Sequence, residues 1–287
     1  MLLIGLTGGI ATGKSTASNI LRSPPHDLPI IDADLLAREV VEPGTSGYQR
    51  IVAYFGDSTP DLFVDNPLPA GGRQVPQPSP ADPSAVEVKE ARSERRPLNR
   101  LALGRRVFGA SPSQQRDRAM LNAIVHPAVR RRIWTKVLAL HFRGHWAAVL
   151  DVPLLFESGL DVVCGAVLVV ATCEGTQVRR LKERNGLEEE EARDRVRSQE
   201  PVSGKVERVG AMGGRGKVLV NEGTREELEG RVREVMRELK RGHPDWRVWV
   251  ERWVVPLMVL TTFFSVIKRL IENAAWNAIL AQRKRKT

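Results

Sequence analysis

A glycine-rich stretch with a lysine and a hydroxyl residue lies near the start of the chain. Residues 8–15 follow the spacing G-x-x-x-x-G-K-[ST], directly after the apolar residues 2–6. A strand that ends in such a turn lets backbone N–H groups converge on one hollow, toward which the next helix aims its positive end. The spacing therefore predicts a polyphosphate site, with the alternative that it is a chance match in a glycine-rich turn.

Lys14 is expected to reach the β- and γ-phosphates of a nucleoside triphosphate, and the Ser15 hydroxyl to ligate the Mg²⁺ that bridges them. A helix is expected from Ser15 to Leu21. The residues predicted to bind nucleotide in this stretch are Gly8, Gly9, Ile10, Ala11, Thr12, Gly13, Lys14, Ser15 and Thr16.

Two carboxylates follow the second apolar run, residues 28–34. In open parallel sheets ligands bind at the carboxyl ends of the strands, so Asp32 and Asp34 are expected beside the phosphate loop. Arg38 comes one helical turn after Asp34 and is expected to face the same cleft. The alternative is that Asp34 caps a helix over 35–41, and the two roles are compatible.

Other candidate residues follow later strands. Asp151 lies near the end of the apolar run 147–152, at the position that a Walker-B aspartate would occupy. Arginines are frequent between residues 173 and 199, where a solvated helix pair would account for most of the charges. A kinase also needs a mobile cationic cover, so at least one of Arg180 and Arg184 is expected to contact the moving phosphoryl group.

These residues require a sheet to position them. Helical stretches separate five apolar runs, which are residues 2–6, 28–34, 147–152, 166–171 and 217–221. This order predicts an α/β fold with a five-stranded parallel sheet covered on both faces. A helical segment over about 99–145 interrupts it, and Thr224–Glu227 is a capping box for a closing helix.

The composition narrows the functional classes. With 287 residues and a net charge of +10, the chain could bind nucleic acid, anionic lipid or phosphorylated substrates. Its basic residues are spread out and few aromatic residues lie among them, so no nucleic-acid partner is expected. Cys164 and Cys173 have neither disulfide nor zinc spacing, which favours a reducing, cytoplasmic location. The apolar run and phosphate loop occupy the N-terminus, so no signal peptide is expected.

Two segments stand apart from this pattern. Residues 57–98 are rich in proline and mixed charge, and they are predicted to form a disordered insert.

In the C-terminal tail, 242–287, tryptophans precede an uncharged run of 15 residues, 253–267, and basic residues follow it. As a helix this run would extend about 22 Å, less than the roughly 30 Å of a bilayer core.

We therefore expect residues 246–271 to lie on a membrane surface, of the endoplasmic reticulum or the mitochondrion, with the catalytic domain in the cytosol. The open alternatives are a marginal span and an apolar helix packed on the core or in a dimer.

Taken together, the motifs resemble the dephospho-CoA kinase family over about residues 1–240. The D-A-D, H-P and P-L-L-x-E combination separates this family from other P-loop kinases. The matching residues are Leu6-Thr7-Gly8-Gly9-Ile10, Gly13-Lys14-Ser15-Thr16, Asp32-Ala33-Asp34, Arg38, Val41-Glu42-Pro43-Gly44, Phe55-Gly56, Arg100, Leu103, Phe108, His126-Pro127, Pro153-Leu154-Leu155-Phe156-Glu157, Gln177, Arg180, Arg184, Gln199, Asn221 and Gly223.

The resemblance implies transfer of the γ-phosphoryl group of ATP, with Mg²⁺, to the ribose 3′-hydroxyl of dephospho-CoA. It also implies a kinase domain over 1–241, with a P-loop core, a CoA-binding subdomain at about 99–145 and a lid at about 173–200. Asp34 matches the family's general base, and with Lys14 and Arg180 it completes the predicted catalytic set.

The resemblance also assigns binding roles. The residues implied to bind dephospho-CoA are Asp32, Asp34, Arg38, Arg100 and His126. Those implied to bind nucleotide beyond the loop are Arg184 in the lid, with Asn221 and Gly223 near the adenine.

Two departures from the family pattern bear on these expectations. Ala11-Thr12 replaces the usual Gly-Ser, which is tolerable if neither position needs a positive φ. The glycine-rich segment 203–216 is expected to be less regular than the family's helix there. The open alternatives are another P-loop kinase of the nucleoside or shikimate type, and a membrane-bound nucleotide-binding protein without turnover.

Overall fold

A computed structural model describes residues 1–64, 96–109 and 111–243 of the chain. Its centre is a five-stranded sheet in the order β2-β3-β1-β4-β5. The pairs β1/β3, β1/β4 and β4/β5 are parallel. The strands are β1 Leu2–Gly8, β2 Ile30–Asp32, β3 Ala147–Asp151, β4 Ala166–Ala171 and β5 Gly216–Val220. The predicted α/β fold with a parallel sheet is confirmed.

Helices connect these strands, and short 3₁₀ turns occur at Leu160–Val163 and Gly213–Arg215. The helices are α1 Lys14–Arg22, α2 Ala33–Glu39, α3 Ser46–Phe55, α4 Arg100–Val107, α5 Pro112–Phe142, α6 Glu174–Asn185, α7 Glu189–Arg197, α8 Val202–Gly210 and α9 Arg225–Gly242. The expected irregularity of 203–216 is wrong over α8, where burial of Lys205 and Val209 outweighs the low helix propensity of glycine.

The sheet is buried because its central strands are covered on both faces. Every residue of β1, β3 and β4 is buried. One face packs against apolar side chains of α1 and α9, among them Leu21, Val232 and Met236. Thr224 caps α9, because its hydroxyl accepts a hydrogen bond from the Glu227 N–H at 3.3 Å, which is one of the two bonds of the predicted capping box.

The chain divides into two compact units, one of residues 32–136 and one of residues 1–31 with the chain from 137 onward. The unit 32–136 thus begins earlier than the predicted subdomain of about 99–145, and residues 137–145 of that prediction belong to the other unit. It has its own apolar cluster, which includes Tyr48, Phe55 and Ile124.

The predicted insert is wrong at both of its ends. Leu62 and Leu98 are buried in the cluster of the unit 32–136, and Phe63 forms an antiparallel bridge with Leu98. Residues 65–95 of the insert lie outside the described residues. The folded ends therefore belong to the apolar core of this unit.

No helix among residues 1–64, 96–109 and 111–243 is both long enough and apolar enough to cross a bilayer. The predicted membrane-contacting segment 246–271 lies outside this part of the chain.

Candidate active site

The phosphate loop joins the end of β1 at Gly8 to the start of α1 at Lys14. Gly13 has a φ of +94°, and a Cβ there would lie 2.1 Å from the Asn221 side-chain nitrogen. Both observations require glycine at this position. The same Asn221 nitrogen donates to the Thr12 carbonyl at 2.7 Å, and this bond is buried. Asn221, predicted near the adenine, therefore also supports the loop.

Ala11 has a φ of +56°, so the condition under which Ala11-Thr12 is tolerable, that neither position needs a positive φ, is not met at Ala11. A residue with a Cβ in this conformation costs roughly 1 kcal/mol relative to glycine. Next to it, the Thr12 hydroxyl donates to the Gly9 carbonyl at 2.9 Å. The loop therefore holds a strained residue within a turn that its own side chains support.

Lys14 forms a short ion pair with Asp151, with 2.5 Å between Nζ and Oδ1. Asp151 is the last residue of β3, and Leu6 of β1 is its partner in the sheet register. The Asp151 side chain is only 7% exposed, whereas that of Lys14 is 21% exposed. The carboxylate predicted from the Walker-B position therefore holds the loop lysine at the carboxyl edge of the sheet.

Ser15 and Thr16 occupy the first turn of α1, where the Ser15 side chain is exposed. This places the hydroxyl predicted to ligate Mg²⁺ at the N-terminus of the helix, in contact with solvent. No cluster of three or more His, Cys, Asp or Glu residues suited to a metal ion occurs in the part of the chain that the structure describes.

The two lid arginines differ in their surroundings. Arg180 lies in α6, and its Nη1 atom is buried without a hydrogen-bond partner among the described residues. Such a buried donor is rare unless a ligand completes it. Arg184 is exposed and donates through Nε to its neighbour Asn185 at 2.8 Å. Of the two, Arg180 therefore has the buried donor that an anion would satisfy.

The two carboxylates after β2 have different environments. Asp32 caps α2, because its Oδ1 accepts hydrogen bonds from the N–H groups of Asp34 at 2.9 Å and Leu35 at 3.0 Å. The alternative that Asp34 is the cap is therefore wrong. Asp34 lies in the first turn of α2, and its exposed carboxylate has no hydrogen bond or ion pair with the described residues.

Three further predicted acceptor residues lie with Asp34 in the unit 32–136. Arg38 is exposed in α2, Arg100 is the first residue of α4, and His126 is exposed in α5 directly before Pro127. The structure therefore brings Asp34, Arg38, Arg100 and His126 into one unit, and the phosphate loop with Arg180 and Arg184 into the other.

Two glutamines contact the loop, a role that the sequence reasoning missed. Gln177 donates from Nε2 to the Ile10 carbonyl at 2.7 Å, and Gln199 accepts from the Ile10 N–H at 2.9 Å. Both glutamines line a cleft of about 340 Å³ together with Gly9 and Cys173. The family motif marks both residues, but nothing in their spacing indicates the contact.

Glu222, between Asn221 and Gly223, was not among the predicted residues. Partial desolvation raises the pKa of Glu222, but hydrogen bonds from the Cys173 N–H and the Thr176 hydroxyl outweigh it and lower the pKa below its usual value. Its carboxylate therefore joins the end of β5 to the start of α6. Gly223 follows it and is exposed.

Comparison with known proteins agrees with this geometry. The family model for dephospho-CoA kinase matches residues 2–65 and 90–227. The chain belongs to the dephospho-CoA kinase family. Residues 66–89 and those after 227 lie outside the match.

Two curated proteins and one solved structure align over most of the chain. Dephospho-CoA kinase CAB5 of Saccharomyces cerevisiae is 41% identical over 200 residues, which are 69% of each chain. The dephospho-CoA kinase of Geobacillus kaustophilus is 40% identical over 237 residues, covering 83% of this chain and 96% of that protein. The crystal structure of TT1252 from Thermus thermophilus is 31% identical with a TM-score of 0.58, covering 83% of this chain and 97% of that one.

Proposed function

We propose that this chain transfers the γ-phosphoryl group of ATP to the ribose 3′-hydroxyl of dephospho-CoA, giving CoA and ADP. Family membership over most of the chain supports ATP-dependent phosphorylation of dephospho-CoA. The observation that carries the proposal within the site is the intact phosphate loop, in which Asp151 holds Lys14 at 2.5 Å.

On the donor side, the residues present fit a Mg²⁺-bound polyphosphate. Lys14 supplies a cation at the loop, and Arg180 supplies a buried donor that has no acceptor among the residues the structure describes. Both suit the charge that develops on a transferred phosphoryl group. Ser15 is the residue that would ligate Mg²⁺, which when bound neutralises charge on the phosphate oxygens.

On the acceptor side, Asp34 acts as the general base. Its exposed carboxylate is spared from capping because Asp32 makes both cap bonds. Such a carboxylate can orient a sugar hydroxyl and accept its proton as the new O–P bond forms. In this proposal Arg38 and Arg100 provide cations for the phosphate groups of dephospho-CoA, and His126 adds a further contact.

The experiment compares Asp34→Asn with Asp32→Asn, because the two changes remove the same charge two residues apart. Asn at 32 retains a side-chain oxygen for the α2 cap, whereas Asn at 34 cannot accept the proton. In steady-state assays Asp34→Asn is expected to lower kcat by roughly 10² to 10⁴, with ATP affinity within about twofold of the wild type. Asp32→Asn is expected to keep kcat within about threefold because the cap is retained, and the binding role implied for Asp32 would appear in KM for dephospho-CoA. Equal kcat values for Asp34→Asn and the wild type would contradict the role of Asp34.

We also propose that residues 246–271 bind a membrane surface of the endoplasmic reticulum or mitochondrion. The support is the sequence alone, in which tryptophans precede an apolar run and lysines and arginines follow it. Truncation after His243 retains all of α9, including buried Leu239. The full chain is expected to sediment with phosphatidylserine vesicles, and the truncated enzyme to stay in the supernatant with unchanged kcat. A full chain that does not sediment would refute the anchor.

A further inference from the structure

Ile10 lies in the phosphate loop between two side-chain amides. Its N–H donates to Gln199 at 2.9 Å, and its carbonyl accepts from Gln177 at 2.7 Å. Gln177 belongs to the first turn of α6, whereas Gln199 follows the end of α7. The two ends of the α6–α7 helix pair, which covers most of the predicted lid, therefore bind the peptide groups on both sides of one loop residue.

Apolar contacts join the same parts of the molecule. Ile10 and Ala11 pack against a cluster formed by Val178, Leu181 and Ala192 of the α6–α7 pair. At Gly9 the approach is so close that a Cβ would lie 2.9 Å from Nε2 of Gln177 in α6, and 2.6 Å from a methyl group of Val202 in α8. The loop is therefore held by the helix pair on its polar and on its apolar side.

The amide bonds constrain the direction of the next N–H group. In a trans peptide the C=O and N–H point in opposite directions, so the bond from Gln177 to the Ile10 carbonyl turns the Ala11 N–H away from Gln177. Ala11 is in the left-handed region, with a φ of +56°. Left-handed residues within such turns create the concave set of N–H groups that binds anions. Strained backbone of this kind persists only where its surroundings fix it.

Gln177 also links α6 to the loop. Arg180 comes three residues after Gln177, so the two side chains share a face of the helix. Gln177 is buried, with 4% of its surface exposed, and Arg180 has a buried Nη1 atom without a partner in the described chain. A bond that fixes the first turn of α6 to Ile10 thereby sets Arg180 relative to the loop.

We propose that Gln177 and Gln199 are positioning residues for phosphoryl transfer. Their hydrogen bonds to the Ile10 peptide groups hold the loop in the conformation that binds the polyphosphate of ATP. They also join the loop to α6, the helix that carries Arg180. This inference rests on the proposed function for its substrate. It assigns the glutamines to the ATP side only, and the affinity for dephospho-CoA does not depend on them.

The experiment uses two substitutions that add the same charge beside the same residue. Gln199→Glu keeps an oxygen that accepts from the Ile10 N–H, whereas Gln177→Glu replaces a donor by an acceptor facing the Ile10 carbonyl. Both changes add one negative charge on the ATP side, at a buried position in Gln177→Glu and at an exposed one in Gln199→Glu. We expect KM for ATP to rise about tenfold more in Gln177→Glu than in Gln199→Glu, the size expected when a hydrogen bond is lost and an acceptor is left unpaired.

A neutral variant provides the second part of the experiment. Gln199 is exposed, so Gln199→Leu removes its acceptor without disturbing a buried position. It is expected to raise KM for ATP about three- to tenfold, to leave KM for dephospho-CoA within twofold, and to speed hydrogen exchange of the Ile10 amide. In Gln199→Glu that amide is expected to stay protected.

The outcomes separate the inference from the proposed function. Titration calorimetry measures the ATP affinity of the same proteins without any turnover. If the variants rank as expected in ATP affinity but the wild type does not phosphorylate dephospho-CoA, only the proposed function fails. The positioning role is refuted if ATP affinity in Gln177→Glu and Gln199→Leu equals that of the wild type. It is also refuted if KM for both substrates rises in parallel with a fall in melting temperature, because that pattern indicates a purely structural role.

Discussion

Replacing Lys14 by methionine tests whether the ion pair with Asp151 supports the fold as well as the chemistry. Methionine is unbranched and of similar length, so it removes the cation with little change in volume. The Asp151 carboxylate, 7% exposed, then remains at the end of β3 without its counter-ion. Phosphoryl transfer is expected to be lost because the loop cation is gone.

The effect on stability follows from the burial of the two partners. Removing one partner of a buried ion pair costs about 3–5 kcal/mol. Because Lys14 is 21% exposed, water can reach the site and reduce this penalty, so we expect a loss of about 2 kcal/mol. For a chain of this size each 1 kcal/mol lowers the melting temperature by about 2–4 °C, so Lys14→Met is expected to melt roughly 4–8 °C lower.

The matched control is the double variant Lys14→Met with Asp151→Asn, in which no charge remains unpaired. Thermal unfolding of the wild type, both single variants and the double variant without nucleotide gives the interaction free energy of the pair. The double variant is expected to recover at least half of the melting temperature that Lys14→Met loses, while it stays inactive. A Lys14→Met protein as stable as the wild type, or a double variant less stable than Lys14→Met, would refute this reasoning.

The remaining predictions concern the cap, the insert and the cysteines. Asp32→Ala removes both cap bonds of α2 and is expected to cost about 1 kcal/mol in urea unfolding; no loss would contradict the cap. Deletion of residues 66–94 keeps the buried Leu62 and is expected to retain activity, whereas deletion of 60–95 removes Leu62 and is expected to destabilise the protein by at least 2 kcal/mol. Burial raises the pKa of Cys164 to about 12, so a thiol reagent at neutral pH is expected to label only exposed Cys173, as peptide mass spectrometry would test.

The sheet could be predicted from the sequence because its strands are continuous apolar runs. The run 166–171 coincides with β4, and the predicted strands at β1, β3 and β5 end within two residues of the observed ones. The prediction was too long at β2, which ends at Asp32. There the Asp32 side chain caps α2, and this local cap stops the strand earlier than the apolar pattern indicates.

The support of the loop could not be predicted because its partners are far apart in the chain. Gln177 and Ile10 are separated by 167 positions, and Asn221 and Thr12 by 209. Helix and strand periodicity predicts contacts only between nearby residues, so it does not indicate which distant residues form such pairs.

Lys205 is a further example of a contact without a local signal. It is 4% exposed and donates to the Pro153 carbonyl at 3.0 Å, with Glu157 at 3.5 Å. A lysine in a glycine-rich stretch suggests a solvated surface. The structure instead buries it because a carbonyl and a carboxylate satisfy its ammonium group.

The most direct test of the proposed function is to incubate the full chain with ATP, Mg²⁺ and dephospho-CoA and to identify the product by mass spectrometry and ³¹P NMR. The proposal predicts CoA with its new phosphate on the ribose 3′-oxygen, one ADP per CoA, and no product from Lys14→Met. Nucleosides and shikimate offered in place of dephospho-CoA are expected to give no ADP above the background without acceptor. ADP release that does not depend on dephospho-CoA, or transfer to a nucleoside or to shikimate, would contradict it.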